Sequence, residues 1–473
     1  MAKRWMGVLS LLATACSQAP AYRPPLVTMP ATFHDGAQVW QEAQPAAPVD
    51  RASPVDRANW WRAMGDPALD ALEVRLISEN PDLAAALARH RLSLAVLQES
   101  GAALVPEVAA GGALTRNRQS DTRPLRGSNQ PDLYGAETLG GGASYELDLW
   151  GRVADTVKAS SAEAQASADD AAAVRLSLQA DLAATWAGLR GADADIAILQ
   201  DALAAYRRAD DVTRRRYDGG IANGIDLGRA AAQVADAEAQ LSDARARRAQ
   251  FAHAVATLAG IPAGEAEIAP SNRELSPVTI PARVPATLLQ RRPDIAAAER
   301  RMFAANRAIG VARAARFPAI LLGGSGGFQS TAVAGLLSAP NVFWSLGPQM
   351  VLPLFDGGRR RARIAEARAQ WDIATQRYRA TVLQAMREVE DNLTTLNQLR
   401  IQREAEARAA TAAGQAARLS YERYIKGANS LLDVVISDTA ELTARRRAAE
   451  IATRQVAASI ALVRALGGDG PAT

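Results

Sequence analysis

The segment TLGGGASYELDLW, residues 138–150, alternates between apolar and polar positions. Apolar or small residues fall on one face and polar or small residues on the other, which is the period-two pattern of a β-strand. Strands of about 10 residues with one apolar face are typical of a sheet that contacts lipid. Similar segments occur elsewhere, and the predicted strands cover 107–116, 137–150, 319–329 and 342–355.

Long stretches rich in alanine and charged residues connect these strands. Two of them, 152–216 and 359–423, contain no proline, and small or apolar residues recur in them at heptad spacing. This pattern predicts coiled-coil helices whose backbones approach closely, and about 65 residues correspond to about 100 Å of helix. Shorter helices are predicted at 67–104, 226–259, 286–316 and 433–466.

The chain repeats itself. NPDLAAA at 80–86 matches RPDIAAA at 292–298, and AALVPEV at 102–108 matches AARFPAI at 314–320. Landmarks in the same order indicate a tandem duplication of about 210 residues. The predicted organisation is a signal peptide at 1–15, an extended N-terminal arm at 16–62, a first repeat at 63–268, and a second repeat with the C-terminal tail at 269–473.

The first sixteen residues, MAKRWMGVLSLLATAC, have the pattern of a secretory signal peptide: Lys3 and Arg4 precede a short apolar run. Cys16 is the only cysteine, so the chain forms no intramolecular disulfide. Its position resembles the cleavage and lipidation site of bacterial lipoproteins, although Ala13 stands where leucine is favoured. Ser17, rather than aspartate, follows, which by analogy indicates the outer membrane. The alternative is an ordinary signal peptide with an incidental cysteine.

Charge and candidate chemistry exclude several functions. The formal net charge is +4, and no basic block interleaves with aromatic residues, so no nucleic-acid partner is expected. The arginine runs at 214–216 and 359–361 are interpreted as solvated helix faces. The three histidines are isolated, and no catalytic or phosphate-binding motif is present. We therefore expect no metal, no cofactor and no enzymatic activity.

No segment after the signal peptide offers the roughly 18 apolar residues of a spanning helix. A membrane crossing would therefore have to use the four strands, which are too few to close a barrel and would leave open edges in lipid. Two chains would give eight strands, whose barrel is filled by side chains, and three would give twelve. A trimer is the smallest assembly that leaves room for transport.

Two turns between helices have the same layout, YDGGIANGIDL at 217–227 and YIKGANSLLDV at 424–434. The glycines suit the left-handed position that ends a helix, and an Asn or Ser three residues before an Asp predicts an N-cap. The recurring residues are Tyr217, Gly220, Asn223 and Asp226 in the first turn and Tyr424, Gly427, Ser430 and Asp433 in the second.

These features, together with WWRAMGDPALDAL at 60–72, resemble the outer-membrane factor family of the TolC and OprM type. The closest resemblance is to the NodT-like outer-membrane lipoprotein subunits of tripartite efflux pumps. It implies a mainly α fold with membrane β-structure. Each protomer of a homotrimer gives four strands to a 12-stranded β-barrel and long coiled helices to a periplasmic α-barrel.

The resemblance also implies roles for the two turns and for Cys16. The turns would form the periplasmic tip where an adaptor protein docks, and Asp226, Asp433 and Asp438 would place carboxylates near its aperture. Cys16 would carry lipid, including palmitate, in the outer membrane.

The expected function is a passive exit duct for small molecules, working with a periplasmic adaptor and an inner-membrane pump of the RND type. One alternative is the outer-membrane duct of a type I protein secretion system. Another is a periplasmic coiled-coil scaffold without a pore, which would lack the strand pairs.

Overall fold

The computed structural model describes residues 17–25, 59–120, 131–278 and 292–468. The signal peptide, Cys16, most of the N-terminal arm and the start of the helix predicted at 286–316 lie outside these residues. The helices, in chain order, are α1 (Pro67–Glu79), α2 (Pro81–Ala102), α3 (Arg152–Asp218), α4 (Gly224–Leu258), α5 (Pro293–Ala314), α6 (Arg359–Ile425) and α7 (Leu431–Ala465). The strands are β1 (Glu107–Arg118), β2 (Leu133–Glu146), β3 (Ala319–Ser330) and β4 (Val342–Val351).

The described residues form two compact units. The first consists of 17–25, 89–120, 131–168 and 297–378 and contains the whole sheet. The second consists of 59–88, 169–278, 292–296 and 379–468 and contains α1, α4, α7 and both helix–turn–helix hairpins.

The sheet of the first unit is antiparallel with the strand order β1-β2-β3-β4. Leu139 of β2 lies opposite Gly112 and Phe328, and Phe328 lies opposite Val342, so these residues share one face. The same register assigns most of the large apolar side chains to that face. They are Val108, Leu114, Leu139, Tyr145, Ile320, Leu322, Phe328, Val342, Trp344, Leu346 and Met350. The alternation predicted from the sequence is therefore present across all four strands.

This apolar face is open to the surroundings. Trp344 is 78% exposed and Leu346 is 71% exposed. The opposite face carries mainly glycine, alanine, serine and other polar residues, such as Ser325 opposite Ser345. A sheet that carries large apolar side chains on one face and small or polar ones on the other suits contact with lipid on its apolar face.

Two strands end earlier than the sequence predicts. β2 covers Leu133–Glu146 because residues 147–151 form the entry to α3, where an Asp148 Oδ2 accepts the Ala154 N–H at 2.7 Å. β4 ends at Val351, two residues before Pro353, which has no N–H to donate to a sheet.

The helix predicted at 67–104 is two helices, separated at Asn80. Asn80 is extended (φ −69°, ψ 123°), because the proline that follows disfavours helical geometry in the residue before it. Its Oδ1 accepts the N–H groups of Asp82 and Leu83 and so caps α2, while its Nδ2 donates to the Leu258 carbonyl at 2.9 Å. The break fixes α1 and α2 to the end of α4.

The later part of the heptad seam predicted in α3 packs in one core cluster of the second unit. Leu199, Leu203 and Tyr206 pack against Ala237, Leu241 and Ala244 of α4 and Leu442 of α7. Within the described residues, none of the helices is long and apolar enough to cross a bilayer.

Candidate functional site at the two helical hairpins

The first hairpin turn ends α3 with a left-handed glycine. Gly220 has φ 72°, and its N–H donates to the Tyr217 carbonyl at 2.9 Å. The next residue, Ile221, donates to the Arg216 carbonyl at 2.8 Å. This pair of bonds is a Schellman motif, which satisfies the last carbonyls of a helix and needs a residue that tolerates positive φ.

The second turn ends α6 in the same way. Gly427 has φ 78° and donates to the Tyr424 carbonyl at 3.0 Å, and Ala428 donates to the Arg423 carbonyl at 2.8 Å. The repeated sequence therefore encodes the same backbone geometry twice, as predicted for both glycines.

The helices that return from the turns are capped with different strength. Asn223 Oδ1 accepts the Asp226 N–H at 2.9 Å at the start of α4. At α7, Ser430 accepts the Asp433 N–H while the Asp433 carboxylate accepts the Ser430 N–H at 3.1 Å, which completes a capping box. The second turn is thus locked by reciprocal bonds that the first lacks.

The two tyrosines lie in different surroundings. Tyr424 is 4% exposed, and its hydroxyl is 3.1 Å from Thr213 Oγ1. Arg216 donates to the Tyr424 carbonyl at 3.1 Å, and its guanidinium lies 4.5 Å from the centre of the Tyr424 ring. Tyr217, by contrast, is 45% exposed. The end of α3 is therefore bonded to the end of α6 through Tyr424.

This link corrects part of the interpretation of the arginine runs. Arg214 and Arg215 do lie on a solvated face and pair with acidic residues one turn earlier. Arg216 instead turns towards Tyr424, and in the other run Arg360 binds Asp356 at 2.7 Å. Neither contact was predictable from the sequence, because the partner of Arg216 is set by the tertiary fold and that of Arg360 by a turn.

Apolar side chains are exposed around both turns. Ile221 is 76% exposed and Ile225 is 64% exposed beside the first, and Ile425 and Ile436 are exposed beside the second. Isolated exposed apolar residues are common, but several beside a pair of rigid turns favour a surface that meets another protein.

The three predicted carboxylates occupy unlike positions. Asp226 and Asp433 lie in the first turns of α4 and α7. Asp438 lies further along α7, where burial, together with the nearby charge of Glu441, raises its pKa to about 6. Nothing in the geometry of the single chain joins the three into one cluster. Across the described ranges, no group of three or more His, Cys, Asp or Glu side chains is arranged to hold a metal ion.

Comparisons with known proteins agree with this architecture. The family model described as outer membrane efflux protein matches residues 72–261 and 284–468. OprJ, an outer membrane protein of Pseudomonas aeruginosa, is 30% identical over 99% of this chain and 97% of its own length. Nodulation protein T of Rhizobium leguminosarum bv. trifolii is 30% identical over 90% of this chain and 88% of its own length.

A solved structure shares the fold. The crystal structure of the CmeC outer membrane channel of Campylobacter jejuni superposes with a TM-score of 0.89 at 23% identity, covering 96% of this chain and 95% of CmeC. The duplicated helices with a four-stranded sheet are thus the fold of an outer membrane channel, not of a strand-free scaffold. The resemblance drawn from the sequence is confirmed, and the chain belongs to the outer membrane efflux protein family.

Proposed function

We propose that this chain is the exit duct of a tripartite efflux system, which conducts small molecules passively out of the cell and catalyses no reaction. The observation that carries the proposal is the apolar face of the sheet, with Trp344 and Leu346 exposed, in a chain whose long helices end in two rigid turns. The sheet supplies a surface for lipid, and the helices supply a wall and a docking end.

The duct is a homotrimer in this proposal. β1 and β4 are the edge strands of the sheet within the described residues. An edge in lipid must be paired, because its N–H and C=O groups have no water to bond. Three copies give twelve strands, with the small polar face towards the lumen and the apolar face towards lipid.

The turns at Gly220 and Gly427 form the docking surface for a periplasmic adaptor. Support comes from their shared geometry and from the exposed isoleucines beside them. Glycine leaves room for a partner backbone: a Cβ at Gly220 would have nothing within 4 Å. Asp226 and Asp433 cap the helices at this end, and Asp438 is the third carboxylate that could face the aperture.

We infer that opening of the duct breaks the link between Arg216 and Tyr424 at this end. It joins α3 to α6 within one chain through a hydrogen bond, a ring contact and the Thr213 hydroxyl. An adaptor that binds the conformation without this link more tightly than the conformation with it shifts the duct towards the open state.

The remaining partners follow from the N-terminus and the family. A lipid chain on Cys16 anchors the protein in the outer membrane, and an inner-membrane pump of the RND type delivers the substrate. We further propose that residues 1–15 are a signal peptide and that the two repeats start at residues 63 and 269.

A susceptibility panel tests the function. A strain lacking this gene is expected to become more susceptible to several small toxic compounds, and the wild-type gene is expected to restore resistance where the empty vector does not. Unchanged susceptibility would contradict an efflux role. Loss of a secreted protein with unchanged susceptibility would identify a protein secretion duct instead.

A further inference from the structure

Residues 17–25, which follow Cys16 directly, are docked on helices of the first unit. Ser17 Oγ lies 2.9 Å and 2.7 Å from the two carboxylate oxygens of Asp155 and donates to them. Asp155 has no exposed surface. A buried carboxylate is costly unless it is bonded, and Ser17 supplies such a bond to Asp155. We call residues 17–25 the strap.

The strap is held at further points along its length. Arg313 donates to the Gln18 carbonyl at 3.2 Å. The Tyr22 ring meets Phe303 edge-on with 5.0 Å between centroids, and its hydroxyl donates to the Glu299 carboxylate. Contacts to α3 at one end and α5 along the rest make this a specific seat rather than a chance contact.

Two residues of α5 accommodate Asp155 and the strap together. Arg307 lies 3.6 Å from Asp155 and balances its buried charge. Gly310 has no side chain. A Cβ at this position would collide with Asp155 and would lie 2.8 Å from the Ala19 nitrogen. A larger residue at 310 would have to displace Asp155, the strap, or both.

The seat lies at the end of the sheet where β2 leads into α3 and α5 leads into β3. Asp155 is in the first turn of α3, and Arg313 is one residue from the end of α5. At the same end, Trp150 stacks on Phe317 at 4.6 Å and donates to the Pro318 carbonyl at 2.8 Å. Aromatic residues at a strand end of a membrane sheet mark the interface between lipid and water.

We propose that the strap is a positioning device for the lipid anchor: Asp155 holds Ser17, so that Cys16 enters the bilayer beside the junctions of β2 with α3 and of α5 with β3. The peptide bond keeps the Cα atoms of Cys16 and Ser17 about 3.8 Å apart. The inference rests on the lipid attachment at Cys16 proposed above. It also gives position 17 a structural requirement, because an aspartate there would face Asp155 with like charge.

Chymotrypsin tests the docking, since it cleaves after Tyr22 only when the strap leaves its seat. The full-length protein is labelled metabolically with a fatty acid, purified in detergent and digested briefly, and the acylated fragment 16–22 is measured by mass spectrometry. Ser17→Ala and Asp155→Ala are expected to release the fragment about tenfold faster than wild type, since hydrogen bonds to a charged group are lost. Asp372→Ala, which removes an exposed carboxylate of α6 in the same unit, is the control and should match wild type.

The outcomes separate the two claims. Ser17→Ala leaves Asp155 and Arg307 in place, so it reports on the strap even if Asp155→Ala disturbs folding. Equal cleavage of wild type and Ser17→Ala in labelled protein overturns the docking. Unlabelled wild-type protein overturns the lipid attachment and with it the positioning role. Faster release of the unacylated N-terminal fragment from Ser17→Ala would then assign the strap a structural role alone.

Discussion

Glu73, on α1, is a carboxylic acid with no exposed surface. Within the described part of the chain, neither of its oxygens has a hydrogen-bond partner. Burial raises the pKa of Glu73 to about 9. The positive charge of Arg175 lowers this pKa in part, and the negative charge of Asp70 raises it further. Glu73 is therefore protonated at neutral pH and keeps α1 packed as an uncharged side chain.

The Glu73→Gln variant is expected to be more stable than wild type at alkaline pH. The folded-state pKa lies above the unfolded value, so wild-type stability is complete at acid pH and falls as the pH rises towards about 9. The loss is at most about 1.4 kcal/mol per pH unit, and glutamine removes it. Thermal unfolding of both proteins at pH 5, 7 and 9 measures the effect. Glu79→Gln, at an exposed position of the same helix, is the control, and a constant difference between Glu73→Gln and wild type would contradict a buried proton.

Arg216 shows that a single residue in a charged run can have a structural role distinct from that of its neighbours. Arg216→Ala removes the ring contact and the bond to the Tyr424 carbonyl. These are worth about 1–2 kcal/mol together, so the open state is expected to gain roughly tenfold in population. Conductance in planar bilayers measures this, with Arg215→Ala on the exposed face as the matched control. Equal conductance of the two variants would remove Arg216 from the gate.

The two hairpins share one backbone motif but differ in the side chains that support it. Both end in a Schellman glycine, but only the second has a capping box and a buried tyrosine. The second turn is consequently the more rigid of the two, and the first leaves Tyr217 and Ile221 exposed.

Replacing either turn glycine by leucine is expected to weaken efflux more than it weakens the fold. The positive φ costs about 1–2 kcal/mol for a residue with a Cβ, while the space beside Gly220 is open. Growth in the presence of an exported compound and cross-linking to the adaptor measure the effect. Gly264→Leu, at another open position, is the control. Normal efflux in both Gly220→Leu and Gly427→Leu would disprove the docking role.

Elements with a local cause were predictable from the sequence, and those with a distant cause were not. Heptad spacing predicted a packed seam along α3, where Leu189 and Leu199 are buried, and the glycine at 220 predicted the left-handed residue that ends α3. The division of the first helix at Asn80 had a local signal in the proline that follows it, but the bond to Leu258 did not. The pairing of Ser17 with Asp155 had no signal at all, because the two lie on unrelated segments and neither residue type is unusual.

The two faces of the sheet require opposite kinds of side chain if the apolar face meets lipid. Leu346→Arg puts a charge on the apolar face, which costs about 2–4 kcal/mol near the middle of a bilayer. Ser345→Arg puts the same charge on the polar face one residue away. We expect Leu346→Arg, and not Ser345→Arg, to lower the amount of heat-modifiable trimer in the outer membrane, as seen on gels of unheated samples. Equal loss in both would contradict the assignment of the apolar face to lipid.

The strand order β1-β2-β3-β4 has a genetic consequence. In the proposed trimer each chain pairs its edge strands with those of both neighbours. One defective chain therefore prevents closure of a barrel that contains two wild-type chains. When equal amounts of mutant and wild-type chains mix at random, only about one trimer in eight is wholly wild type. Alleles that disturb β1 or β4 without preventing assembly should therefore be dominant over the normal gene, whereas alleles that prevent the chain from folding should be recessive.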